Sequence, residues 1–324
     1  MLIYAGIDEA GYGPMLGPLC IGSSCFVIEG ADPRDGPPDL WELLSEVVCR
    51  KPSDKRRRLA INDSKLLKGS SAGKSHPCRH LERGLMAMLC SEHETMPCSD
   101  LALFERLGAV LPAEPWYGGP VIDLPLAGTL EEHGIQAAML HRVMRSAGIT
   151  LRSLRCETVH PSQINDAAVR NERKSSLNLA AALRLAEGIR RDHPGDHPRV
   201  IIDRQGGRQG YREQLAHAWP GAAVRILGET ADVSRYRLDF PEGPITVSFE
   251  SRSEEKHLPA ALASMTAKLV RELHMARLNR FFSLKLPELR PTAGYVQDGR
   301  RFMKEVDPIC RELDLEGHRL VRGV

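Results

Sequence analysis

Ala5-Gly6-Ile7-Asp8-Glu9-Ala10-Gly11-Tyr12-Gly13-Pro14 joins an apolar, partly β-branched run to a glycine-rich turn through two adjacent carboxylates. The run from Leu2 to Ile7 predicts a buried strand, so Asp8 and Glu9 fall where that strand leaves its sheet. Adjacent carboxylates repel unless a cation neutralises them, and their hard oxygens suit Mg²⁺ or Mn²⁺. Taken alone, the dipeptide fits a solvated strand end and a turn equally well.

The same arrangement recurs further along the chain. Leu177 to Arg190 has apolar residues at helical spacing, and after a Pro-Gly-His loop the strand Arg199 to Ile202 ends on Asp203. Alternating segments at Ala223–Leu227, Tyr236–Phe240 and Ile245–Phe249 predict an extended β region. Glu250, Glu254 and Glu255 follow it, ahead of a helix from Leu258 to Phe281. In an α/β fold, groups at neighbouring strand ends converge. Without that context Asp203 reads as a turn-forming aspartate.

The remaining chain fills in a mixed α/β pattern. Leu19 to Ile28 is a second extended segment, and helices are expected at Trp41–Cys49, His80–Cys90, Ile135–Ser146 and Gly299–Gly317. The last has Phe302, Val306, Ile309, Cys310 and Leu313 as its apolar face. Residues 92–150 read as an insertion in which Trp116 and Tyr117, beside Gly118-Gly119-Pro120, pin a loop to the body. The expected division is a core over residues 1–258, insertion included, and a helical region over 259–324 that completes a groove.

Bulk properties bound the class. At 324 residues and 42% hydrophobic content, the chain can bury one sizeable core. Lys and Arg total 44 against 42 Asp and Glu, so a net charge of +2 confines any nucleic-acid surface to local patches. Candidates are Arg50–Arg58, Arg170–Lys174, and Arg300, Arg301 and Lys304. Eight cysteines without a Cys-x-x-Cys or a signal peptide predict reduced thiols and a cytoplasmic location, and no apolar run is long enough for a membrane span. The spacing of His76, Cys78, His80, Cys90, His93 and Cys98 fits no closed zinc framework. Gly69 to Ser75 has three residues between its glycines where a phosphate loop needs four, and reads as a plain loop.

Several blocks resemble one family in order. Gly6-Ile7-Asp8-Glu9-Ala10-Gly11-Tyr12-Gly13-Pro14, with Gly17-Pro18 after it, is similar to the opening Gly-Ile-Asp-Glu-Ala-Gly-Arg-Gly-Pro of the type 2 ribonucleases H, the ribonuclease HII and HIII family. Asn62-Asp63-Ser64-Lys65 resembles its Asp-Ser-Lys element, and Val200-Ile201-Ile202-Asp203 its aspartate-ended strand. Ala263-Ser264-Met265-Thr266-Ala267-Lys268-Leu269-Val270-Arg271 resembles its Ala-Ser-Ile-x-Ala-Lys-Val-x-Arg helix, and Gly294-Tyr295 and His318-Arg319 its closing pairs. The resemblance implies a ribonuclease H-like mixed sheet flanked by helices. It also implies cleavage of the RNA strand of RNA/DNA hybrids, or at ribonucleotides embedded in a DNA duplex, leaving 5'-phosphate and 3'-hydroxyl ends.

The resemblance makes Asp8, Glu9, Asp203 and Glu254 the catalytic and metal-holding set, with Glu255 an open alternative for the fourth place. Four carboxylates could hold two divalent cations about 4 Å apart, one activating water and one stabilising the leaving oxygen. Gly11, Tyr12, Gly13, Lys65 and Tyr295 are the substrate-binding candidates. Tyr12 stands where the family has Arg, which removes one phosphate partner. The expected protein is a monomer. The other readings are a related nuclease acting on another nucleic acid, and a non-catalytic hybrid-binding protein. Met275 to Phe282 faintly resembles a sliding-clamp-binding peptide, but it continues the predicted core helix and reads as packing.

Overall fold

A computed structural model describes residues 1–31, 36–69, 75–92, 95–204 and 207–323. Among the described residues nine strands run in chain order: β1 (Leu2–Ala10), β2 (Leu19–Ile28), β3 (Val48–Cys49), β4 (Leu59–Ala60), β5 (Ile149–Val159), β6 (Arg199–Asp203), β7 (Ala223–Glu229), β8 (Val233–Phe240) and β9 (Gly243–Glu250). Seven of them form a mixed sheet in the order β5-β2-β1-β6-β9-β8-β7, with β3 and β4 a separate parallel pair. At the centre β1, β6 and β9 are parallel, while β2, β5, β7 and β8 pair antiparallel. The expected mixed sheet flanked by helices is present.

Alternation along β1 explains why the sheet is covered on both faces. Leu2 and Tyr4 enter one apolar layer, with the helices Arg79–Glu92, Leu130–Ser146 and Leu258–Ser283; Ile3, Ala5 and Ile7 enter the other, with Lys174–Asp192 and Arg212–Ala218. Leu258–Ser283 is buried on nearly all sides, which fits its lack of a continuous polar face. It crosses β1 and β2 so closely that a Cβ on Gly6 would lie 2.1 Å from the Ala260 nitrogen, and one on Gly22 2.2 Å from the Ala263 carbonyl oxygen. Only glycine fits at either point.

The helix expected over Trp41–Cys49 is shorter. Asp39 caps a single turn, Leu40–Leu43, and the β-branched Val48 instead enters β3 against Leu59. Between residues 92 and 150 the chain forms helices Asp100–Leu107 and Leu130–Ser146 and one 3₁₀ turn, Pro115–Tyr117. Trp116 and Tyr117 are buried in a third apolar cluster with Leu278, Phe282, Phe302 and Val306, so they pin that segment to the C-terminal helices. Met275 and Phe282 are likewise core residues. Helix Val296–Glu312 buries Phe302 and Val306, as its spacing predicts.

Candidate functional site

The register of the central strands brings three carboxylates to one edge. Ile7 lies opposite Ile202 in the parallel pair β1/β6, and Asp203 opposite Glu250 in β6/β9, so Asp8 and Asp203 stand side by side just past the last β1/β6 pair. Asp8 and Glu9 do not leave the sheet as expected: β1 runs on to Ala10, and β2 pairs Gly22 with Asp8 and Ile21 with Glu9. Asp8, Glu9 and Asp203 can each present an oxygen such that all three lie within 4.8 Å of one another. Among the described residues this is the one group of three or more His, Cys, Asp or Glu side chains so placed. Neighbours in sequence normally point to opposite faces of a strand. Correspondingly, Asp8 meets Ser264 of the long helix, while Glu9 meets Asn178 of helix Lys174–Asp192.

The fourth carboxylate comes from a forced turn. Arg252 takes a left-handed conformation, φ 53°, and starts the short helix Ser253–Lys256 just beyond β9. The turn directs the Ser253 amide and hydroxyl to Asp203 Oδ1, both at 3.2 Å. It leaves Glu254 half-buried in the field of Asp203, its Oε2 shielded from solvent with no hydrogen-bond partner. Glu255 instead projects outward, 52% exposed, 3.8 Å from the Arg252 guanidinium.

Burial raises every one of these pKa values, and repulsion from neighbouring carboxylates adds to it at Asp8, Glu9 and Glu254. Asp8 is pushed well above the usual carboxylate range by burial, then by Asp203 and Glu9, with the Ser264 hydroxyl drawing it back. Glu9 is pushed up to about 7 by burial and Asp203, against Asn178 and Lys65. Asp203 and Glu254 are raised chiefly by burial. Burial works against the charge of Lys65, but Asp63, Asp8, Glu254 and Asp203 outweigh it and raise its pKa. Asp63 caps the turn bearing Lys65, and Ser64 Oγ lies 3.0 Å from Ser264 Oγ.

Buried like charges without compensation are unstable. The oxygen-only donor set, its close spacing and the orphaned Glu254 oxygen fit hard divalent cations. Of the residues weighed as a zinc framework, His93 lies outside the described residues, as does most of the Gly69–Ser75 loop. Among the described residues no two cysteines are joined in a disulfide.

The glycine turn is built from beneath by two buried arginines. Arg271 donates to the carbonyls of Pro18, Leu16 and Ala293 at 2.9, 3.2 and 3.1 Å. Arg322 donates to Gly11 O at 2.6 Å and to Gly17 O. Gly11 has φ +87°, and a Cβ there would lie 2.6 Å from Arg271 Cδ, whereas Gly13 faces open space. Met15 and Leu16 amides donate to Gly294 O, which sets the half-exposed Tyr295 beside the turn. Tyr12 is exposed, with Lys174 Nζ 4.6 Å from its ring centre. The structure thus groups Gly11, Tyr12, Gly13 and Tyr295 on one side of the carboxylates, with Lys65 close to them.

Sequence reasoning missed Asn178, Ser253 and Arg322. Asn178 left a signal, a polar residue within the apolar run Leu177-Asn178-Leu179; it is fully buried beside Glu9, and neither amide atom completes a well-formed hydrogen bond. Arg322 left none. The basic patch Arg50–Arg58 borders the site: Arg50 stacks on Trp41 and donates to the Glu255 carbonyl at 2.6 Å. A cavity of about 840 Å³ lies elsewhere, between helices Lys174–Asp192 and Arg212–Ala218. Its most buried acid, Glu187, is already held by Arg190, Arg191 and Trp219.

No family model and no curated protein matches the sequence. Solved structures are similar at a distance. A chain of the PCNA:RNase HII complex from Archaeoglobus fulgidus is 15% identical over 98% of this chain and 93% of its own, with a TM-score of 0.41. The ribonuclease H2 from Pyrococcus horikoshii OT3 is 14% identical over 98% and 92%, with a TM-score of 0.40. A mutant protein of Bst-RNase HIII is 14% identical over 99% of this chain and 66% of its own, with a TM-score of 0.48. No helix among the described residues is long and apolar enough to cross a membrane.

Proposed function

We propose that this chain is a divalent-metal-dependent endonuclease of the type 2 ribonuclease H kind, cutting the RNA strand of RNA/DNA hybrids or at ribonucleotides embedded in DNA. The observation that carries the reading is the convergence of Asp8, Glu9 and Asp203, drawn from two separate sequence blocks, to within 4.8 Å where the parallel pairing of β1 and β6 ends. Asp8, Glu9, Asp203 and Glu254 are the residues that would hold Mg²⁺ or Mn²⁺. Such ions supply activation of a water and stabilisation of the leaving oxygen.

The protein's own groups do the positioning. Ser253 fixes one oxygen of Asp203 through its amide and its hydroxyl. Asn178 borders Glu9 and Ser264 borders Asp8 from opposite faces of the sheet. Lys65 offers a cation to a phosphate drawn toward the carboxylates. Gly13, with no packing on its Cβ side, lets a ribose approach the backbone of the turn, and Tyr295 closes the rim.

The test is cleavage of three labelled duplexes, an RNA/DNA hybrid, DNA with one ribonucleotide, and all-DNA, with Mg²⁺ or Mn²⁺. Cutting of a ribose-containing duplex that disappears in Asp8→Asn, leaving 5'-phosphate ends, is the expected result. Binding without cutting under either metal would sink the nuclease and favour a hybrid-binding protein. Equal cutting of all-DNA would reassign the substrate.

A further inference from the structure

The loop that departs from the family pattern at Tyr12 also gathers positive charge with no acidic partner. Arg271 and Arg322 are buried beneath the Gly11–Pro18 segment and bond only to carbonyl oxygens. Lys174 lies above it, its ammonium over the Tyr12 ring, and it makes no ion pair among the described residues. In the other two patches singled out in the sequence the ion pairs involve single residues, Arg58 with Asp54 and Arg301 with Asp298 and Glu305. Within its own patch Arg170 pairs with Glu172. Lys174 is the patch residue set against the glycine turn, over the ring of Tyr12.

Its position relative to the carboxylates follows from helix geometry. Lys174 and Asn178 are four residues apart on helix Lys174–Asp192, so they share one face, about one 5.4 Å turn from each other. Asn178 is the residue that meets Glu9. A strand whose scissile phosphate sits at the carboxylates therefore has a neighbouring phosphate within reach of Lys174. The ring below restrains a side chain that is otherwise mobile, and a cation over an aromatic face keeps its outward hydrogens free for an oxyanion.

We infer that Lys174, carried on the Tyr12 ring, is a phosphate-binding residue of this nucleic-acid site and takes over the charge missing from the glycine turn. This rests on the nuclease reading above. The two residues work as a pair: Tyr12 provides the platform and Lys174 the charge, where a single arginine within the turn would provide both.

The test is equilibrium binding of a labelled RNA/DNA hybrid to full-length Asp8→Asn protein, which prevents turnover, over a series of salt concentrations. Adding Lys174→Gln should weaken binding roughly tenfold at low salt and reduce the slope of log K against log salt by about one. Lys174→Arg should keep the slope, and Tyr12→Phe should keep both affinity and slope. Tyr12→Ala should weaken binding, because the ammonium loses its platform. Unchanged affinity and slope in Lys174→Gln, or unchanged binding in Tyr12→Ala, overturns the pairing while leaving the nuclease reading intact. If the Asp8→Asn protein binds no hybrid even at low salt, the nuclease reading itself fails. Thermal melting of each variant establishes that it is folded.

Discussion

Two buried charged regions lie on either side of the glycine turn, and they are built on opposite principles. Asp8, Glu9 and Asp203, with Glu254 near them on the short helix Ser253–Lys256, share one sign, repel, and leave a shielded oxygen of Glu254 without a partner. At the far end of the long helix Asp100 and Arg277 are more deeply buried, and their charges are fully answered. Arg277 donates to Asp100 at 2.5 and 2.8 Å and to Tyr117 O at 2.7 Å, and Asp100 also accepts the amides of Leu101 and Ile122. A satisfied buried network fixes a fold; an unsatisfied one of a single sign is a place kept for something the chain does not itself contain.

The largest expected effect breaks the satisfied region. Asp100→Ala leaves the Arg277 guanidinium buried without its counter-charge and should cost about 3–5 kcal/mol of stability. Denaturant unfolding monitored by circular dichroism reads it directly. Replacing both partners with apolar residues, Asp100→Leu with Arg277→Met, should recover most of the loss. A small effect of Asp100→Ala would mean that water replaces the pair and that the contrast between the regions is overstated.

Asp8→Asn does the reverse. It removes one of several repelling charges, so the melting temperature should hold or rise, whereas cleavage of a hybrid should fall by more than about 100-fold, beyond what loss of a ligand's supporting contact typically costs. Parallel melting and cleavage assays separate the two outcomes. Loss of stability on the scale of Asp100→Ala would make the cluster structural.

The central strands and most long helices were legible because their signals are local. Apolar runs ending on Asp8 and Asp203 define β1 and β6, and helical spacing marks Arg79–Glu92 and Lys174–Asp192. What could not be read is what depends on distant backbone. The Trp41–Cys49 segment had helical composition, yet Val48 is claimed by a strand eleven residues later in the chain, and tertiary pairing overrides propensity. The same holds for the site. Four carboxylates stood out because unusual residues ended regular elements, but Ser253 acts through a left-handed Arg252, and Arg322 through carbonyls some 300 positions away. Neither leaves a periodic trace. Asn178 left one, since an amide in an apolar helical stripe needs a reason to be there.

Metal addition should sharpen the contrast further. If the acidic region is built for cations, Mn²⁺ at about 100 times its dissociation constant should stabilise the wild-type protein by about 2.7 kcal/mol, seen as a rise in melting temperature over a chelator control. The gain should shrink in Asp8→Asn and persist in a Lys174→Gln protein, whose carboxylates are intact. Equal shifts in wild type and Asp8→Asn would place the ion somewhere other than the strand ends.

The smallest expected effect discriminates between neighbours. Glu254 and Glu255 differ by one position, and a single slip in reading the sequence exchanges them. Their surroundings differ: the Glu254 oxygen is shielded and unpartnered beside Asp203, whereas Glu255 is exposed and close to Arg252. An exposed ion pair of that kind is worth at most about 1 kcal/mol. Glu255→Gln should therefore leave cleavage and melting nearly unchanged, while Glu254→Gln should reduce cleavage roughly 10- to 100-fold with little change in melting. Measuring both under saturating Mg²⁺ and Mn²⁺ keeps a weakened ion affinity from being mistaken for lost chemistry. If Glu255→Gln were the damaging substitution, the left-handed turn at Arg252 would have to unwind when substrate binds, and the acidic region would be assembled by the substrate instead of waiting for it.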